Sequence, residues 1–172
     1  SVGDPSLETT TMGSLISNEH RGKVESYIRL GREEGGQILV GGTAEDQPVE
    51  DVPSAGAFLL PTVIRGLSPT SKTATEEIFG PVVAVIPFDT EDQAIAMAND
   101  SDFGLAAGLW TRDISRAHRV AGKLDAGQVF VNTWGTGIET PFGGYKQSGI
   151  GREKGIEALH HYTQVKSVTV AL

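Results

Sequence analysis

The chemistry open to this chain is bounded first by a missing residue type. None of its 172 residues is cysteine, so a thiolate nucleophile, a disulfide and a thiolate metal site are all excluded within it. The four histidines are His20, His118, His160 and His161. Adjacent His160 and His161 cannot share one face of a helix or strand, and all four read as solvated or half-buried side chains with no metal-ligand spacing. Gly149-x-Gly151-x-x-x-Gly155 is one residue too long in its last spacing for a dinucleotide fingerprint, and no strand leads directly into it. No Gly-x-x-x-x-Gly-Lys, His-Glu-x-x-His or Gly-x-Ser-x-Gly segment occurs, and no spaced carboxylate pair stands out. Fourteen Lys and Arg against 22 Asp and Glu give a formal charge of −8, which disfavours nucleic acid as a partner. No window approaches the roughly 18 apolar residues of a membrane span.

The elements that must position any site alternate between helix and strand. Ser17 predicts the N-cap of a helix running toward Glu34, with Val24, Tyr27, Ile28 and Gly31 on one side and Gly35-Gly36 as the stop. Gln37–Val40 predicts a short strand, and Ala57–Ile64 a strand bent or at an edge because of Pro61. Pro81–Phe88 is a continuous apolar run, which predicts a strand covered on both faces. Thr90-x-x-Gln93 is a capping box for a second helix. Gly104–Trp110 predicts a strand, and Asp113 caps a third helix ending at Gly127. Gln128–Asn132 predicts a further strand, followed by a Gly-rich loop and a helix around Glu153–His161. Val165–Leu172 alternates with a period of two, a strand pattern whose partner sheet could lie in this chain or another. The fold class expected is α/β, a mostly parallel sheet flanked by helices.

Two segments carry a resemblance: Glu76-Glu77-Ile78-Phe79-Gly80-Pro81-Val82 and Pro141-Phe142-Gly143-Gly144-Tyr145-Lys146-Gln147-Ser148-Gly149-Ile150-Gly151-Arg152-Glu153. With Val2-Gly3-Asp4-Pro5, Gly104-Leu105-Ala106-Ala107, Val131-Asn132 and Tyr162-Thr163-Gln164-Val165-Lys166 they stand in one order along the chain. This chain resembles the aldehyde dehydrogenase superfamily over essentially its whole length. The resemblance implies oxidation of an aldehyde to a carboxylate with NAD or NADP through a cysteine thioester. The nucleophilic cysteine, the base glutamate and the oxyanion asparagine are expected upstream of this chain, so no catalytic residue is assigned here. The expectation is therefore residues 1–164 as the C-terminal part of the catalytic domain and 165–172 as an oligomerisation strand.

The same resemblance implies roles for single residues. Glu77 matches a glutamate that accepts from the nicotinamide ribose hydroxyls, a task for an acceptor-only carboxylate. Phe79 and Leu105 match residues bordering the nicotinamide, while Glu76 is expected to be a solvated neighbour. Phe142 matches an aromatic lining the aldehyde tunnel, with Trp134, Thr136 and Ile138 on the loop that shapes its mouth. Trp134 suits either an apolar aldehyde or, through its π face, a cationic one. Asn132, Lys146 and Arg152 read as braces. The remaining expectations are a homodimer or homotetramer through Val165–Leu172, a cytoplasmic location, and no activity for this piece alone. Two other readings fit the same residues: a stand-alone, non-catalytic interaction module, or part of an acylating, semialdehyde-type dehydrogenase.

Overall fold

A computed structural model describes residues 1–50, 52–53, 55–135 and 137–172. It divides into two compact units, Ser1–Pro87 and Phe88–Leu172.

The first unit is organised by helix α1, Asn18–Glu33. Ser17 caps it as expected, its side chain accepting from the His20 amide. At the other end Gly35, at φ +88°, donates to Arg32 O, and Gly36 donates to Gly31 O, so a left-handed glycine closes the helix. Strands β1 (Gln37–Val40), β2 (Thr62–Arg65) and β3 (Val82–Val85) form one sheet in the order β1-β2-β3. The β1–β2 pair is antiparallel and the β2–β3 pair parallel. A four-residue helix α2, Lys72–Thr75, lies between β2 and β3 in sequence. Val24, Ile28, Leu59 and Ile78 make the buried cluster, with Tyr27, Ile38 and Val82 packed against it. Gly31 lets α1 lie close to the sheet, since a β-carbon there would stand 3.1 Å from Ile64 Cδ1.

In the second unit, α3 (Glu91–Asn99) and α4 (Ile114–Ala121) accompany the parallel pair β5 (Ala106–Leu109) and β6 (Gln128–Val131). A two-residue antiparallel pair joins β4 (Phe103–Gly104) to β7 (Tyr145–Lys146). Thr90 caps α3 by accepting from the Gln93 amide, and Gln93 Oε1 accepts in return from the Asp89 amide. Asp113 Oδ1 caps α4 through the amides of Ser115 and Arg116.

Several expectations change. The fold is α/β as expected, but the strands form short hydrogen-bonded groups of two or three, with β2–β3 and β5–β6 parallel and β1–β2 and β4–β7 antiparallel. The strand predicted from Ala57 begins only at Thr62, just after Pro61, which has no amide to give a ladder. β3 is not covered on both faces: Val83 and Val85 are exposed on the side opposite α1. The Gly104–Trp110 run splits at Leu105, where the chain changes pairing partner from β7 to β6. α4 ends at Gly122 rather than Gly127, because the Gly122 amide already closes the last turn onto His118 O. The last helix is a 3₁₀ segment, Ile156–Tyr162, entered through Gly155 at φ +58°. Val165–Leu172 is exposed and pairs with no strand among the described residues.

Candidate functional site

Glu76 through Gly80 is held by α1 at three points, and the turn of α2 before it by Glu34, the residue that caps α1. The Glu34 carboxylate takes the first amides of α2, from Lys72 at 2.8 Å and Thr73 at 3.1 Å, doing what the Ser71 side chain does not. Tyr27 donates its hydroxyl to Glu76 Oε2 at 2.7 Å, and this bond to the carboxylate raises the Tyr27 phenol above its usual range. Val24 packs where Gly80 has no side chain, as a β-carbon there would stand 2.5 Å from Val24 Cγ2. His20 Nε2 lies 2.7 Å from the Phe79 carbonyl oxygen, with the two rings edge-on and their centroids 6.2 Å apart.

The chain leaves α2 in extended backbone at Glu76 (φ −90°, ψ 150°), so successive side chains alternate. Glu76 is tied to Tyr27 and Ile78 enters the buried cluster. Glu77 between them is exposed and takes no hydrogen bond or ion pair among the described residues. Phe79 follows at φ +57°, in the left-handed region, with 72% of its surface exposed. An exposed aromatic in that conformation is unusual, and such outliers gather at functional sites. Of the adjacent glutamates, geometry therefore separates a tethered Glu76 from a free Glu77. Glu76 is exposed, as expected from sequence, but it is also the hydrogen-bonded partner of Tyr27.

In the second unit, Leu105 and Phe142 line one open groove of about 570 Å³, together with Gly143, Gly144, Arg152 and His161. Phe142 is fixed by reciprocal backbone bonds with Glu153, at 2.6 and 2.7 Å, and Lys154 Nζ stands 5.4 Å from its ring centroid. Arg152 donates to the Gly144 and Gly151 carbonyls, and Lys146 Nζ to the Asn99 and Ser101 carbonyls. Both cations act as braces. Asn132 (φ +55°) accepts from the Thr111 amide and donates to the Thr111 carbonyl, both at 2.8 Å, a clamp just past the ends of β5 and β6.

Trp134 and Ile138 do not line that groove. Trp134 leans on Phe130, with centroids 4.9 Å apart, and leaves 67% of its surface exposed. Ile138 is 84% exposed, and Thr136 lies outside the described residues. A second cavity of about 560 Å³, between α3, α4 and β5, is lined by Phe88, Ile95, Trp110 and Val120 among others and by none of the residues assigned from sequence. Among the described residues no cluster of three or more His, Asp or Glu side chains could hold a metal, and no helix is long and apolar enough to cross a membrane.

The contacts that sequence reasoning missed are His20, Glu34 and the hydroxyl of Tyr27. Their partners lie 38 to 59 residues away along the chain, so no local spacing reports them. The one available signal is the stripe His20, Val24, Tyr27, Gly31 on α1, at spacings that share a helical face.

The profile of the aldehyde dehydrogenase family matches residues 1–168. Betaine aldehyde dehydrogenase of Brucella melitensis is 51% identical over 99% of the chain, and 35% of that protein is covered. An aldehyde dehydrogenase structure from Mycobacterium tuberculosis, complexed with NAD+, superposes with a TM-score of 0.92 at 44% identity, covering 99% of this chain and 34% of that one. A betaine aldehyde dehydrogenase structure from Staphylococcus aureus, also with NAD+, gives 0.88 at 46% identity over 94% of this chain and 32% of that one. The chain spans about a third of the length of the relatives it matches.

Proposed function

This chain belongs to the aldehyde dehydrogenase family, and we propose that it is the C-terminal part of the catalytic domain of an NAD(P)-dependent enzyme of that family, one that oxidises an aldehyde to a carboxylate. In this reading Glu77 accepts from the nicotinamide ribose hydroxyls, and Phe79 and Leu105 border the nicotinamide. When bound, the dinucleotide supplies the hydride acceptor. The residues fit that group: an exposed, unpartnered carboxylate can take two hydroxyls, and an exposed ring offers a flat apolar wall. The observation that carries the assignment is the free Glu77 beside its tethered neighbour Glu76.

Phe142, Trp134, Thr136 and Ile138 are proposed to contact the aldehyde. The relatives named betaine aldehyde dehydrogenase, at 51% identity, favour a cationic aldehyde of that kind. The exposed face of Trp134 suits such a cation. The nucleophile must come from elsewhere in the protein, since this chain holds no cysteine, and the piece alone is proposed to be inactive. Val165–Leu172, exposed and unpaired among the described residues, is proposed to add to a sheet of a neighbouring subunit in a homodimer or homotetramer. A cytoplasmic location belongs to the same proposal.

The test uses the full-length enzyme with betaine aldehyde as substrate. Glu77→Gln removes the charge that strengthens hydrogen bonds to the hydroxyls, and is expected to weaken dinucleotide binding about tenfold or more. Unchanged affinity for both NAD+ and NADP+ would remove Glu77 from the site. Failure to turn over betaine aldehyde would remove the substrate assignment.

A further inference from the structure

We propose that His20 is a positioning residue for dinucleotide binding, holding the Glu77–Phe79 segment in its presenting turn by a hydrogen bond to the Phe79 carbonyl. The inference rests on the reading of Glu77 and Phe79 as dinucleotide contacts. A carbonyl oxygen only accepts, so the 2.7 Å separation places the ring proton on His20 Nε2. Phe79, at φ +57°, occupies backbone space that residues with a β-carbon rarely adopt and keep only where neighbours hold them. Its neighbours are fixed on both sides, Ile78 in the buried cluster and Gly80 against Val24. Phe79 itself is met by His20, through the carbonyl bond and the edge-on ring contact at an interplanar angle of 69°.

His20 is a firm anchor because it is half-buried in the first turn of α1, with its own amide taken by Ser17 Oγ at 3.0 Å. Without that donor the Phe79 carbonyl is unpaired and the backbone is free to relax toward the β region. Phe79 is then redirected, and the apolar wall it offers beside Glu77 is lost. The buried cluster of Val24, Ile28, Leu59 and Ile78 does not include His20, so the unit keeps its core.

The experiment measures NAD+ affinity of the full-length enzyme by calorimetric titration, alongside steady-state kinetics. His20→Ala is expected to raise the Kd for NAD+ about tenfold, the loss of one hydrogen bond of ~1.4 kcal/mol, with the effect falling on KM for NAD+ more than on kcat. His20→Gln, whose amide can donate to the same carbonyl, is expected to restore most of the affinity. Unchanged affinity in His20→Ala, or equal loss in both variants, overturns the proposal. So does a loss accompanied by a fall of more than about 4 °C in the NAD+-free melting temperature, which would mark a structural role. Glu77→Gln is measured in parallel. If it weakens binding and His20→Ala does not, only the His20 proposal fails; if it leaves binding unchanged, the reading of the site fails.

Discussion

Glu76 and Glu77 are chemically identical neighbours with opposite fates, and the difference lies in one hydroxyl. Tyr27 occupies Glu76, while extended backbone turns Glu77 the other way. Gly80 shows how tightly the same segment is seated. A β-carbon there would fall 2.5 Å from Val24 Cγ2 and 2.8 Å from Cγ1, and Val24 is fully buried, so it has no open space to yield into. Gly80→Ala is expected to destabilise the chain by about 1–3 kcal/mol, read by urea unfolding. Adding Val24→Ala makes room and should return part of that loss in the double variant. Additive losses would show that the clash is not the cause.

At the scale of elements, the second unit ties its helices by charge. Glu91, in the first turn of α3, meets Arg119 at 2.8 Å and Arg116 at 3.2 Å on α4. The Arg119 guanidinium, more than Arg116, holds the Glu91 carboxyl down at about 2, against an ordinary 4.5. The folded value lies below the unfolded one, so the stabilisation is complete above pH 4.5 and is lost as pH falls from there toward 2. Glu91→Gln is therefore expected to flatten the pH dependence of the melting temperature between those limits, followed by circular dichroism. Near neutral pH the change should be small, because the pair is exposed to solvent and screened. An unchanged acid slope would deny the linkage.

At the scale of the whole molecule, the first unit's sheet packs α1 on one face and leaves valine side chains exposed on the other. Val40, Val63 and Val83 stand opposite one another across β1, β2 and β3, and Val40 and Val83 are 60% and 58% exposed. The irregularity between Ile38 and Val40 sets this register, separating buried Ile64, opposite Ile38, from Val63, opposite Val40. Apolar residues in register on an open sheet face call for a covering layer. The 172-residue chain prepared alone is expected to bind a hydrophobic dye and to self-associate in sedimentation. Val40→Lys with Val83→Lys should reduce both while the helical signal stays. Dye binding unaffected by the pair would place the sticky surface elsewhere.

Much of this was legible without coordinates where the signal is local. The caps Ser17, Thr90 and Asp113 and the stop at Gly35 follow from hydrogen-bonding groups within a turn of their partners. The family follows from motifs whose order along the chain is itself sequence information. The interior strands were blurred because pairing depends on partners far along the chain. Leu105 marks a change of partner that hydrophobicity alone does not record. Sequence alone therefore determined where α1, α3 and α4 start and which family the chain resembles, because those depend on short-range chemistry. Tertiary structure alone decided that among the described residues Glu77 is free and Glu76 is not, that His20 reaches Phe79 and that Val83 and Val85 of β3 are exposed. Each is a contact, or a missing contact, between segments that only folding brings within hydrogen-bonding or packing distance.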